Sequence, residues 1–232
     1  MKRGDRATDE LYHGMRARHG RSSARANGYR YEAYFRREQA VLLSLLDRDA
    51  PLTVDACCGS GLMLLPLVDG RRAVFGIDFN ADACAAARAN GFPVVRGDAY
   101  RLPLADGSVA QMTNCQFFNQ QDAAGVETFL TEVARVLAPG GRLVLVWRNG
   151  SALIHRLAHA LLTVVDRLRG MNVFPQHVHA MEAVAARAAA VGLEVVHREL
   201  SCPPLGWRTT ATAGLAGRIA GASCVLVLRR PA

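Results

Sequence analysis

Residues 52–65, LTVDACCGSGLMLL, decide the fold. A short apolar run, 52–56, carries one acidic residue, Asp55. It gives way to Cys57, Cys58, Gly59, Ser60 and Gly61 before a second apolar run at 62–65. The pattern predicts a buried parallel strand, a tight turn and a helix whose first-turn N–H groups face the turn. Gly59 and Gly61 have no Cβ and so admit a ligand close to the backbone. The carboxylate of Asp55, at the strand end, suits a cation or a hydrogen-bond donor rather than a phosphate. The loop reads as a nucleoside site without a pyrophosphate.

Downstream, residues 73–78 (AVFGID) form a second buried strand ending in Asp78, 17 residues beyond Gly61. In a βαβ unit a carboxylate at this place accepts from the 2′- and 3′-hydroxyls of a ribose. The other role open to it, capping a helix over 81–90, suits Asn80 better. A short strand at 93–96 leads into Gly97, Asp98 and Ala99. Asp106-Gly107-Ser108 is a turn signal, and 109–115 is the fourth strand. The strand end at 114–119 lies at the carboxyl edge of the expected sheet, where ligand-facing side chains gather in doubly wound folds. An amphipathic helix follows over 126–137, with Phe129, Leu130, Val133, Val136 and Leu137 on one face. Pro139-Gly140-Gly141 stops it, and 142–147 is a fifth strand.

Residues 55–61 resemble the first motif of the class I S-adenosylmethionine-dependent methyltransferases, an acidic residue followed by G-x-G-x-G, with Cys57 standing at the first glycine. Cysteine enters positive φ less cheaply than glycine. Gly97-Asp98-Ala99 resembles that family's third element, in which the Asp accepts from the adenine amino group and the next N–H meets the ring. The string 132–141, EVARVLAPGG, closely resembles the helix–turn–strand of small-metabolite and quinone-pathway methyltransferases. The likeness runs over about 29–229, with its specific part confined to 55–141.

The resemblance implies an α/β fold, a doubly wound, seven-stranded, mostly parallel sheet whose last strand is antiparallel. It implies S-adenosylmethionine as cofactor, S-adenosylhomocysteine as product, and no metal. The cofactor would be held by Asp55, Ala56, Cys57, Gly59, Gly61, Asp78, Phe79, Asp98, Ala99, Asn114 and Cys115. The expected acceptor is a small aromatic or heteroaromatic metabolite, methylated on O, N or C.

The rest of the chain is assigned around this core. Residues 1–28 read as a flexible basic arm, and 29–232 as the methyltransferase domain with a lid insertion at about 151–178. A helix begins near Tyr29 and ends before Pro51. Another covers 153–168, with His155 and His159 four apart; no third ligand accompanies them, so packed or exposed imidazoles are expected rather than a metal site. Residues 180–191 form a helix capped by Gly192, and 193–200 and 223–228 are the closing strands. The long connection 202–222 is a second candidate for the substrate wall. Substrate contacts are expected from Tyr12, Tyr31, Tyr34, Gln116, Asn119 and Phe174. Candidate general bases are His13, His177 and His179.

Composition bounds the alternatives. At 232 residues and 50% hydrophobic, the chain suits one well-cored α/β domain with an arm or lid. No apolar run approaches the ~18 residues of a membrane span. The N-terminal MKRGDRATDE lacks a signal-peptide core, so a cytoplasmic monomer or homodimer is expected. The six cysteines contain no CxxC pair, and reduced thiols are the expectation. The net charge of +8 comes with 27 arginines among 28 basic residues, ten of those basic residues lying in residues 1–40. The basic arm is the one feature favouring nucleic acid as a partner. Methylation of RNA or protein is therefore a competing reading, although the chain has neither an Asn/Asp-Pro-Pro-aromatic tetrapeptide nor a Pro-Cys motif. A protein that binds the cofactor without catalysis is a third. A nicotinamide dehydrogenase is disfavoured, because the loop cannot be read as G-x-G-x-x-G.

Overall fold

A computed structural model describes residues 29, 32–149, 152, 177, 179–202, 207–209 and 223–232, with isolated positions 14, 157, 160, 161 and 164. The arm residues Tyr12 and His13, together with Tyr31, His155, His159 and Phe174, lie outside the described residues.

In chain order the elements are α1 (Glu32–Ser44), β1 (Leu52–Ala56), β2 (Ala73–Asp78), α2 (Ala81–Ala89), β3 (Val94–Arg96), β4 (Val109–Cys115) and α3 (Ala123–Val136). They continue with β5 (Leu137–Arg148), α4 (Met181–Ala190), β6 (Glu194–Cys202), β7 (Trp207–Thr209) and β8 (Ser223–Arg229). Among the described residues one sheet joins eight strands in the order β3-β2-β1-β4-β5-β8-β6-β7. Pairings from β3 to β5 are parallel, and β8 runs antiparallel to both β5 and β6. The seven expected strands are all present. The eighth, β7, pairs antiparallel with the end of β6 and lies inside the segment expected to be a plain connection.

Apolar alternation sends each strand's side chains to two cores. On one face Val54, Ile77, Met112, Leu143, Leu145 and Leu226 pack with α3 and α4. The other face gathers Val74, Val144, Val146, Val225 and Val227 against Phe35, Val41 and Leu42 of α1, with Phe92 beside them. Val126, Phe129, Leu130, Val133 and Val136 of α3 are all fully buried, each worth ~1.5–3 kcal/mol of apolar burial before chain entropy is subtracted. Asp122 caps this helix by accepting from the Gly125 N–H at 2.8 Å, so it begins three residues before the apolar stripe announces it. Its far end is closed by Arg230, whose guanidinium donates to the carbonyls of Ala134, Arg135 and Leu137 at 3.0, 3.2 and 2.6 Å.

The expected helix after the glycine loop does not form. Residues 57–72 are turns with one 3-10 turn, Leu65–Leu67. Pro66 removes a donor, and Gly70, at φ 74°, redirects the chain towards β2, leaving too few residues to close helical turns. The loop is thus held by side-chain and strand contacts rather than by a helix behind it.

The string 132–141 also does more than turn the chain. Glu132 accepts from the Leu102 N–H at 2.7 Å, while Arg135 binds Glu132, Asp106 and the carbonyls of Leu102 and Leu104. The pair fixes the segment that follows Asp98.

Candidate active site

Chain order runs β1 to β2 to β3 across the sheet, then returns to place β4 on the other side of β1. The carboxyl ends of β1 and β4 therefore flank a topological switch point, where an open α/β sheet offers its crevice.

At the end of β1, Asp55 is 2% exposed and sits opposite Thr113 in the parallel register. Thr113 Oγ1 donates to its carboxylate at 2.7 Å. Burial pushes the Asp55 carboxyl up to about 7, against the pull of the Thr113 hydrogen bond and with a further push from the Asp78 charge. Asp55 thus stands beneath the loop instead of facing out from it. Asn114 is likewise turned inward. Its amide donates to the Ala56 carbonyl at 2.9 Å and ties the two strand ends together, and Ala56 itself is fully buried.

The loop over these residues bends at alternate positions: Cys57, Gly59 and Gly61 have φ of 60°, 57° and 76°. Cys57 pays the steric cost that a glycine at this position avoids. Replacing it is expected to show this directly. Cys57→Gly should gain about 0.5–1 kcal/mol in urea denaturation, and Cys57→Val should lose at least about 1 kcal/mol. Gly61 serves packing. It is buried, and a Cβ there would stand 2.4 Å from the Phe92 ring.

Asp78 closes the loop from the neighbouring strand. Its carboxylate accepts from the Gly59 N–H at 2.8 Å and the Asn80 N–H at 2.9 Å, and Cys58 N donates to the Ile77 carbonyl at 3.1 Å. Asn80 is the cap of α2, accepting from Ala83 N at 2.8 Å. Phe79, 40% exposed, carries the Arg96 guanidinium 5.7 Å from its ring centre. Beyond β3, the Asp98 carboxylate accepts from Tyr100 N at 2.9 Å, beside a buried Ala99. These acids converge: burial and then the charges of Asp78, Asp55 and Asp98 push the Cys57 thiol well up. Burial, with Cys57, Asp122 and Asp98 adding to it, pushes the Tyr100 phenol up to about 12.

The end of β4 opens a second group. Gln116, at φ 65°, donates through Nε2 to both oxygens of Glu38, at 2.8 and 2.9 Å. Glu38 is fully buried and also accepts from Tyr29 Oη at 2.6 Å and Ser223 Oγ at 2.8 Å. Burial above all raises the Cys115 thiol, and Glu38 adds to it. Asn119 donates to Gln116 and, through its backbone carbonyl, accepts from His177 N at 2.8 Å. Tyr34 Oη lies 2.7 Å from Ser223 Oγ. Three expected substrate residues, Tyr34, Gln116 and Asn119, therefore belong to one network.

The two described histidines separate. His179 is buried, its Nε2 lies 2.7 Å from the Gln121 carbonyl, and its own carbonyl accepts from Trp147 Nε1 at 3.0 Å. These contacts give it a packing role. His177 is exposed and stacks 6.4 Å from His179. Sequence reasoning missed Thr113, Glu38 and Ser223. Only Glu38 left a signal, a charge on the buried stripe of α1 between Phe35 and Leu42. Among the described residues no group of three or more His, Cys, Asp or Glu side chains is gathered for a metal, and no helix is long and apolar enough to cross a membrane.

A doubly wound sheet with an acid–glycine loop at its switch point, acids after the next two strands and an antiparallel β8 beside β5 defines a class of protein. The fold and the matches below support a class I S-adenosylmethionine-dependent methyltransferase. The methyltransferase-domain family matches residues 54–145. A demethylmenaquinone methyltransferase of Mycolicibacterium vanbaalenii is 34% identical over 113 residues, 49% of this chain and 48% of that protein. The chain spans about half the length of the curated relatives it matches. Among solved structures, a S-adenosylmethionine-dependent methyltransferase of Thermotoga maritima, described as a possible histamine N-methyltransferase, superposes with a TM-score of 0.67 at 18% identity. It covers 85% of this chain and 91% of that one. Magnesium protoporphyrin IX methyltransferase from Synechocystis PCC 6803, with bound SAH, gives 0.59 at 15% identity over 85% and 83% of the two chains. At these identities the structures speak to the fold.

Proposed function

We propose that this chain transfers the methyl group of S-adenosylmethionine to a small aromatic or heteroaromatic acceptor. One observation carries the reading: the bent loop 57–61 stands at the switch point, with Asp78 and Asp98 on the ends of the next two strands. The donor set fits the cofactor. Two carboxylates supply acceptors for hydroxyl and amino groups, and loop 57–61 is followed by turns rather than by the helix N-terminus that holds a pyrophosphate. Asp78 would hold the ribose, Asp98 and the Ala99 N–H the adenine, and Phe79 would lie alongside. When bound, S-adenosylmethionine supplies an already activated methyl group. The chain's task is then to bring a nucleophile into line with it and exclude water, an effect worth ~7–11 kcal/mol in favourable cases. The name of the curated relatives, demethylmenaquinone methyltransferase, favours an aromatic acceptor.

The test is thermal unfolding with S-adenosylmethionine, S-adenosylhomocysteine and NADH, followed by transfer of labelled methyl to a panel of phenols and N-heterocycles. Saturation at a hundred times Kd adds ~2.7 kcal/mol, or roughly 5–11 °C at this size. A rise with the two sulfur nucleosides alone, and label in a small acceptor, are expected. An equal rise with NADH would sink the cofactor assignment. Label found only in RNA or protein would sink the acceptor class.

A further inference from the structure

Glu38 is a buried carboxylate that the transfer step itself does not use. It joins three distant segments: the entry to α1 through Tyr29, the end of β4 through Gln116, and the start of β8 through Ser223. The Cys115 thiol lies 3.7 Å from it. Tyr29 Oη, Gln116 Nε2 and Ser223 Oγ all donate to the Glu38 carboxyl, so each of these partners turns its proton inward. The consequences propagate. Gln116 must aim Nε2 at Glu38, because its amide oxygen would otherwise face two carboxylate oxygens. Its Oε1 then accepts from Asn119, whose own Oδ1 is left to accept from the Arg148 N–H at 3.3 Å. The single Ser223 proton goes to Glu38 at 2.8 Å, so the 2.7 Å contact with Tyr34 is one in which Tyr34 donates. The half-buried Tyr34 therefore has only oxygen lone pairs left to offer a ligand. Gln116 is held in a left-handed conformation, its N–H donating to the Val146 carbonyl at 2.7 Å. Strain of this kind persists where its surroundings over-determine it, and here it lies at the strand end beside the switch point.

We propose that Glu38 is a positioning residue that orients Gln116, Asn119 and Tyr34, so that Tyr34 accepts a hydrogen bond and the site selects acceptors carrying a ring hydroxyl or N–H over their O-methylated counterparts. The proposal rests on the reading of the chain as a methyltransferase. It deepens that reading by naming the group that the acceptor must bring.

The experiment measures binding of 2-naphthol and 2-methoxynaphthalene to protein saturated with S-adenosylhomocysteine, in the wild type and in Ser223→Ala, Tyr34→Phe and Glu38→Gln. S-adenosylhomocysteine affinity is determined separately by calorimetry. The wild type should favour the naphthol at least tenfold. Ser223→Ala frees the Tyr34 proton, and Tyr34→Phe removes the oxygen, so both ratios should fall below threefold while S-adenosylhomocysteine affinity stays within threefold. A purely structural loss would weaken both ligands alike and leave the ratio unchanged. Ser223→Ala and Tyr34→Phe are small enough to carry the result if Glu38→Gln does not fold. A wild type without preference, or a preference surviving Ser223→Ala, overturns the proposal. Absence of S-adenosylhomocysteine binding in the wild type overturns the methyltransferase reading, and this proposal falls with it.

Discussion

Asp78→Ala should weaken S-adenosylhomocysteine binding at least 100-fold, a loss of about 2.7 kcal/mol or more. Sequence spacing alone assigns Asp78 to the ribose. The structure adds that the same carboxylate receives the N–H groups of Gly59 and Asn80, at 2.8 and 2.9 Å. Hydrogen bonds to a charged acceptor contribute ~1.5–3 kcal/mol each, so the substitution would remove the proposed ligand contact and unfasten the loop beside it. Asn80→Ala is the matched control. It deletes the α2 cap, should cost about 1 kcal/mol of stability, and should leave ligand affinity nearly unchanged. Isothermal calorimetry on both variants decides the matter: Asp78→Ala binding like the wild type would remove Asp78 from the cofactor site.

The second large effect is on stability against pH. Asp55, 2% exposed, has a pKa of about 7, against 3.8 for the free side chain, mainly because burial disfavours its charge. Between these values the folded state keeps a proton that the unfolded chain has lost. Stability therefore falls as pH rises from about 4 to about 7, and is flat on either side as far as this group is concerned. The shift corresponds to as much as about 4 kcal/mol. Asp55→Asn keeps an acceptor for Thr113 without a titrating charge. At pH 8 it should be about 2–4 kcal/mol more stable than the wild type, a rise of roughly 4–16 °C in Tm, and near pH 4 the two should converge. Parallel urea or thermal titrations of the two proteins test this. A constant difference across the range would show that Asp55 does not carry the pH dependence.

Both effects arise where the chain itself advertises a site, and comparison with the structure separates what was legible there. The strands 52–56, 73–78 and 109–115 end where their apolar runs end. The Asn80 cap and the Gly192 stop, at φ 81°, were legible for the same reason: each is set by residues within one turn of the chain. The position of the Asp55, Asp78 and Asp98 acids at strand ends followed too, since parallel βαβ repeats put every strand end on one edge.

What was not legible there depends on distant partners. The missing Cβ of Gly61 makes room for Phe92, a contact that no neighbour in the sequence announces. The contacts of His179 with Gln121 and Phe118 are equally invisible in the local sequence. The helix expected after residue 61 was overridden by Pro66 and by the short path to β2. The added strand β7 depends on pairing with the end of β6.

By itself, then, the sequence determined the elements, their order and the edge at which a cofactor can bind, because periodicity, caps and turn residues act over a few neighbours. The tertiary structure alone decided which polar groups face outward. Glu38 and Ser223 lie 185 positions apart, and Asp55 and Thr113 lie 58 apart. A buried carboxylate takes its role from whichever donors the packed sheet brings to it, and no local pattern records that.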